Sequence, residues 1–177
     1  AKRFVRYQVG MGHEVAEAAL QAFNDLLAEI ERRGREMRAQ GVSSAAEAGF
    51  HPLLAAFDEV HRLFQHREYG ADAAFVAEDL VKQARKYGII LILATQSPTS
   101  TSIPRAITRE VICRVAFSVI DQVGNDALLG DGSYRNGVRA TELRPGSKHS
   151  PGDRGKALTV GVVPDSDWEL VIGHNVG

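Results

Sequence analysis

The stretch Leu53-Leu54-Ala55-Ala56-Phe57-Asp58-Glu59, taken with Ile89-Ile90-Leu91-Ile92-Leu93-Ala94-Thr95-Gln96, decides how the whole chain reads. The first is an apolar run that ends in two adjacent acids. The second is apolar from Ile89 to Ala94, the pattern of a strand covered on both faces by helices in a parallel sheet. At one sheet edge, a strand ending in Asp-Glu beside another ending in Thr-Gln supplies a metal-anchoring acid, a general base and a phosphate sensor. The chain reads first as part of an ATPase.

Working outward, Pro52 opens the first strand and Gly88 closes the helix that precedes the second. Between them, Val60 to Tyr69 predicts a short helix. Asp72 to Tyr87 predicts a better one, with Val76, Leu80, Ala84 and Tyr87 on one side. Upstream, Val15, Ala18, Ala19, Ala22, Leu26 and Ile30 recur at three- and four-residue spacing, the buried stripe of an amphipathic helix from His13 to about Gln40. Its far end carries Glu29, Glu31, Arg32, Arg33, Arg35, Glu36 and Arg38, a mixture of signs that reads as a solvated helix surface. Phe4 to Val9 alternates apolar and polar residues like a short strand, and Ser43 to Gly49 reads as a loop or turn.

Beyond Gln96, Ser97 to Ser102 is a polar, turn-prone loop. It holds hydroxyls but no histidine base at a motif spacing, so no hydrolase triad is indicated. Ile103 to Arg109 is expected as a helical turn opened by Pro104, Val111 to Val119 as a strand, and Asp121 to Leu129 as a short helix closed by Gly130. Lys156 to Val163 and Trp168 to His174 form an expected terminal hairpin around Pro164-Asp165-Ser166-Asp167.

Composition bounds these readings. The chain has 177 residues, 44% hydrophobic and 24% charged, enough for one compact domain. A net charge of -1 excludes a globally basic nucleic-acid binder and leaves any DNA contact to a local surface. The single cysteine, Cys113, cannot form an internal disulfide and sits in an apolar run, where it reads as a packing residue in a reduced compartment. No apolar run is long enough to span a membrane and no signal-peptide core follows Ala1, so a cytoplasmic segment is expected. A membrane anchor in an unseen upstream region stays open.

The strand ends suit phosphoryl transfer for electrostatic reasons. Mg²⁺ neutralises phosphate oxygens, and Asp58 is placed to hold that ion directly or through water, with Glu59 polarising the attacking water. Gln96 can donate to a γ-phosphate oxygen and accept from the water, which suits a sensor. The plain alternative is that buried strands reaching the surface often end in carboxylates or amides. His61 and His66 stand too far apart on a helix to share a face and read as a solvated pair rather than a metal site.

Five short motifs in register resemble the FtsK/SpoIIIE family of DNA-pumping ATPases. They are Asp58-Glu59, Ala84-Arg85-Lys86-Tyr87-Gly88-Ile89, Leu93-Ala94-Thr95-Gln96-Ser97-Pro98, Arg114-Val115-Ala116-Phe117 and Leu128-Leu129-Gly130-Asp131-Gly132. The likeness covers about residues 13 to 132, and residues 133 to 177, a basic loop and the terminal hairpin, match only loosely.

The resemblance implies an α/β fold with a RecA-like P-loop NTPase core, a mostly parallel sheet flanked by helices, in one partial domain over residues 1 to 177. It also implies ATP and Mg²⁺ as cofactors, double-stranded DNA as partner and a homo-oligomeric, usually hexameric, ring. Some relatives drive conjugation or secrete proteins instead.

Carried over by motif, Asp58 serves the metal, Glu59 the water and Gln96 the γ-phosphate. Arg114 resembles the arginine before Ala-Phe, with the roles of trans finger and structural ion-pair partner both open. Arg85 is the second choice of finger, with a plain helix-end role as its alternative.

The largest departure from the family is the phosphate cradle G-x-x-x-x-G-K-[ST], which does not occur in this sequence. Its nearest imitation, Ser150-Pro151-Gly152-Asp153-Arg154-Gly155-Lys156-Ala157, lacks the first glycine and the hydroxyl and follows the acids instead of preceding them. The core is thus expected to be incomplete, without the Walker A strand and loop, and the isolated chain is expected to bind nucleotide poorly. Tyr134, Arg135, Arg139, Arg144 and Lys148 make a locally basic tract that suits DNA phosphates, although loops of this composition are more often merely soluble. The leading reading is a DNA translocase. An EccC-like protein-secretion ATPase is one alternative, and a non-catalytic ring or partner-binding module is another.

Overall fold

A computed structural model describes residue 10, residues 12–99 and 101–162, and the backbone of 169–172. The expected strand Phe4 to Val9 and the turn from Pro164 to Asp167 lie outside these residues. In chain order the elements are α1 (His13–Gln40), β1 (Leu53–Phe57), α2 (His61–Phe64), α3 (Gly70–Gln83), β2 (Ile89–Leu93), α4 (Arg105–Glu110), β3 (Arg114–Ala116), α5 (Gln122–Leu129), β4 (Lys156–Val160) and β5 (Glu169–Ile172), with 3-10 turns at Ala84–Tyr87 and Ala140–Glu142. The result is an α/β fold. The chain divides into two compact units, one of residues 1–96 with 102–107 and one of 97–101 with 108–177.

In the first unit, α1 has the predicted span. Leu26 and Ile30 are buried, joined by Phe23 and Met37, while Val15, Ala18, Ala19 and Ala22 are half-buried. Gly41 ends the helix at φ 69°, a left-handed conformation that costs glycine nothing; its N–H turns back to Arg38 O and the Val42 N–H to Met37 O. The charged end is not simply solvated. Arg33 is buried: its Nε donates to Glu29 Oε1 at 2.7 Å, its Nη1 donates to Tyr87 O at 2.8 Å, and its guanidinium lies 5.0 Å from the Phe50 ring centre. A buried cation persists because every face of it finds a partner.

β1 and β2 pair in parallel, in register from Leu53↔Ile89 to Phe57↔Leu93. One face packs on α1, where the Phe57 and Phe23 rings meet edge to face at 4.5 Å. The other face corrects the expectation of two-sided cover: Leu54, Ile90 and Ile92 are 62%, 51% and 47% exposed. Uninterrupted apolar residues signal that both faces want cover, but the described part of this unit lays helices on one. α2 is shorter than expected because Gly70 opens α3 early. A side chain there would meet Phe64 O at 2.4 Å, so only glycine lets the chain pass so close. The last turn of the expected second helix tightens into the 3-10 turn before Gly88.

In the second unit, the strand expected over Val111 to Val119 contracts to β3, and the sheet is antiparallel. β3 pairs with β4 from Arg114↔Val160 to Ala116↔Leu158, and β4 pairs with β5 as the expected hairpin partners. Beyond Ala116 the backbone leaves β4, and Val119 N–H reaches Ala140 O instead. Among the described residues the strands form one parallel pair and one three-stranded antiparallel sheet, each beside helices, where a mostly parallel sheet was expected. Cys113 precedes the shortened strand and is exposed, its thiol donating to Gly161 O at 3.1 Å, which corrects its reading as a packing residue.

α5 starts at Asp121, whose carboxylate accepts the Gly124 N–H at 2.8 Å. The core of this unit joins Ala116, Leu129, Val138, Ala140, Leu143 and Leu158. Within it Asn125 is fully buried and fully bonded. Its Nδ2 donates to Ser133 Oγ and Val138 O, each at 2.9 Å, and its Oδ1 accepts from Ala140 N–H at 2.8 Å. Among the described residues no helix is long and apolar enough to cross a membrane.

Candidate functional site

Pairing continues past the β1–β2 ladder and fixes both strand ends. Ala94 N–H donates to Phe57 O at 2.9 Å, and Val60 N–H donates to Ala94 O at 3.0 Å. To return the chain to Ala94 after Asp58, Glu59 adopts φ 51°, the left-handed region. For a residue with a long side chain this costs about 1 kcal/mol, a strain that local bonds must offset. Glu59 N–H donates to Asp58 Oδ1 at 2.9 Å, and Gln96 N–H donates to Glu59 Oε2 at 3.2 Å.

The two acids and the Gln96 backbone are thus brought together at the carboxyl ends of two parallel strands, where α/β sheets hold ligands. Asp58 and Gln96 are exposed, and Glu59 is half-buried.

His61, on the first turn of α2, closes the group. Its Nδ1 lies 2.9 Å from Thr95 Oγ1 and 3.1 Å from Glu59 Oε2. The sequence reading placed His61 in a solvated pair with His66. Instead His61 joins the strand ends, while His66 stacks on Tyr69 at 5.0 Å between ring centres and its Nδ1 accepts from Tyr69 N–H. No sequence signal marks this contact, which depends on the β1–β2 register ending at Phe57↔Leu93 and on the turn through Glu59 that follows it.

The remaining sequence candidates sit apart in character. Arg85 is exposed in the last turn before Gly88. Arg114 Nε donates to Val111 O at 3.1 Å and its Nη2 donates to Thr108 O, so its guanidinium holds carbonyls at the end of α4. The cradle-like segment is a turn leading into β4. Its Lys156 Nζ donates to Asp153 Oδ1 at 2.7 Å. Lys156, helped by the Arg144 N–H, holds the Asp153 carboxyl down to about 2 against the opposing effect of burial. In the basic tract, Arg139 pairs with Glu142 at 3.3 Å and lies over the Tyr134 ring, whereas Arg135 and Lys148 are exposed.

The donor set fits a magnesium nucleotide. Asp58, Glu59 and the Gln96 side chain offer hard oxygens, and Mg²⁺ needs only one or two carboxylates besides phosphate and water.

No family model matches the chain, and no curated protein matches it. Solved structures do. The chain superposes on the pCW3 conjugation coupling protein TcpA, in its monomer form with ATPγS, with a TM-score of 0.68 at 17% identity over 89% of this chain. It superposes on the cytoplasmic domain of the Type VII secretion ATPase EccC of Thermomonospora curvata with a TM-score of 0.69 at 18% identity over 90% of it. The shared fold is an α/β core with mixed parallel and antiparallel strands flanked by helices, that of part of a P-loop NTPase-like domain. EssC of Geobacillus thermodenitrificans, over its ATPases 2 and 3, gives a TM-score of 0.54 at 14% identity over 89% of this chain. The chain spans 44%, 18% and 27% of these three chains, so each likeness concerns a portion of a larger protein.

Proposed function

We propose that this chain is the Walker B and sensor part of an ATP-hydrolysing motor that translocates double-stranded DNA, with the whole chain one partial domain. The observation that carries the reading is the hydrogen bond from Gln96 N–H to Glu59 Oε2, which ties a strand-end acid to the strand beside it in a RecA-like fold. A bound magnesium nucleotide supplies the transferable phosphoryl group and screens its charge.

Asp58 holds the ion, directly or through water. Glu59 takes the proton of the attacking water at Oε1, because Oε2 is occupied by the Gln96 amide. The Gln96 side chain would donate to a γ-phosphate oxygen of a bound nucleotide and accept from the water, which suits it to report whether that phosphate is present. In a homo-oligomeric ring, Arg114 either keeps the structural role its carbonyl contacts give it or serves a neighbouring subunit's nucleotide, with exposed Arg85 as the alternative finger.

TcpA and EccC superpose equally well, which keeps protein secretion as the second reading of the same motor. ATP turnover by the intact protein, measured with and without double-stranded DNA, tests the assignment. We expect DNA to raise turnover severalfold. Turnover that ignores DNA and rises with a peptide cargo assigns the motor to secretion, and no turnover under any condition leaves a binding module.

A further inference from the structure

We propose that His61 is a positioning residue for hydrolysis, its Nδ1–H holding the Glu59 carboxylate and the Thr95 hydroxyl across the two strand ends. The proposal deepens the assignment of Glu59 as general base and rests on it. The His61 ring is 15% exposed and the Glu59 side chain 25%, so the contact between them is largely shielded. A carboxylate only accepts hydrogen bonds. An imidazole nitrogen 3.1 Å from Glu59 Oε2 is therefore favourable only when it carries the hydrogen.

That hydrogen fixes the tautomer, because the partner of one ring nitrogen decides which nitrogen is protonated. With Nδ1 protonated, Thr95 Oγ1, 2.9 Å from the same nitrogen, is an acceptor as well. Both oxygens face Nδ1, whereas a proton relay of the triad type uses the two ring nitrogens on opposite partners. His61 therefore orients and does not relay.

The orientation matters because Glu59 has little else to hold it. Its backbone is strained at φ 51°, and its side chain has three rotatable bonds that a free carboxylate would sample. Oε2 accepts from Gln96 N–H and lies 3.1 Å from His61 Nδ1, while Oε1 accepts no hydrogen bond among the described residues. The open oxygen is the one that must meet a water. Val60 N–H on Ala94 O anchors the start of α2 to β2, so the ring is carried on backbone shared by both strands. A base released from this grip loses its alignment, and misplacement by about 1 Å costs on the order of 100-fold in rate.

Two measurements test the proposal. The first needs no nucleotide: long-range proton–nitrogen correlation spectra of the ¹⁵N-histidine-labelled protein at about pH 8, where free imidazole is neutral. His61 is expected as the Nδ1–H tautomer, reverting toward Nε2–H in Glu59→Ala. An Nε2–H His61 in the unaltered protein overturns the proposal. The second follows ATP turnover by the intact protein. His61→Ala should lower kcat roughly 10- to 100-fold with KM within about twofold.

His61→Asn, whose amide N–H falls near the Nδ1 position, should restore most of the loss, and His61→Gln should not. Equal rates for Asn and Gln, or a raised KM with kcat intact, overturn the positioning role, and this comparison stands even if the alanine variant fails to fold. Glu59→Gln, assayed beside them, separates the two levels. If it leaves turnover intact, the base assignment fails. If it abolishes turnover while His61→Ala leaves kcat intact, only the role of His61 fails.

Discussion

Glu59 and Asn125 show how single residues settle local structure here. Glu59 accepts a left-handed backbone so that Val60 can bond Ala94 and close the gap between two strands. Asn125 is neutral, fully buried and bonded to Ser133, Val138 and Ala140, so it pins the segment that follows α5 to the helix. Removing its amide strands two acceptors and one backbone donor in the core. Asn125→Ala should therefore destabilise the second unit by about 2–4 kcal/mol, read as a shift in the urea unfolding midpoint, and a change below about 0.5 kcal/mol would contradict the bonding described. Nothing in the sequence marks Asn125, since an asparagine in a short helix looks like an ordinary surface residue. The placement of Asp58, Glu59 and Gln96 at neighbouring strand ends was legible because each closes an apolar run.

At the scale of elements, α1 was legible over its whole length because its apolar spacing is regular and Gly41 stops it. Its charged end was not, because alternating signs look the same whether they face water or fold back on one another. Arg32 and Arg33 together hold the Glu29 carboxyl down to about 2 from an ordinary 4.5, with burial opposing them. A carboxyl with a depressed native value contributes stability above its unfolded value and loses it as pH falls from about 4.5 toward 2. The full shift converts to about 3 kcal/mol, and exposure of Arg32 reduces this to about 1–2 kcal/mol. The advantage of the natural protein over Glu29→Gln, measured by urea unfolding, should therefore be larger at pH 6 than at pH 2.5. An advantage independent of pH would mean that the pairing does not form.

Among the described residues the strands fall on the expected apolar runs, and the β1–β2 and β4–β5 pairings were legible, but the β3–β4 pairing was not. The same apolar run predicts two-sided cover for β2 and a long β3, whereas Ile90 and Ile92 are exposed and β3 is three residues long. Pairing partners far along the chain, Leu158 to Val160 in this case, decide strand length, and local composition does not encode them.

At the scale of the molecule, the order of elements from α1 to α5 followed from periodicity and turn residues, and the superpositions show the coarser part of the expected fold, an α/β core like part of a P-loop NTPase. The antiparallel β3–β4–β5 sheet was the main departure, because alternation of strand and helix suggests parallel pairing and cannot reveal where a late hairpin returns. What joins fold to function is the strand-end group of Asp58, Glu59, Thr95 and Gln96 with His61 across it. Turnover and nucleotide affinity of the intact protein carrying Glu59→Gln test that assignment most directly. The account predicts that hydrolysis falls at least about 100-fold while the ATP dissociation constant stays within about twofold, because only the group that accepts the water's proton is lost. Unchanged turnover would remove Glu59 from the role of base and contradict the account.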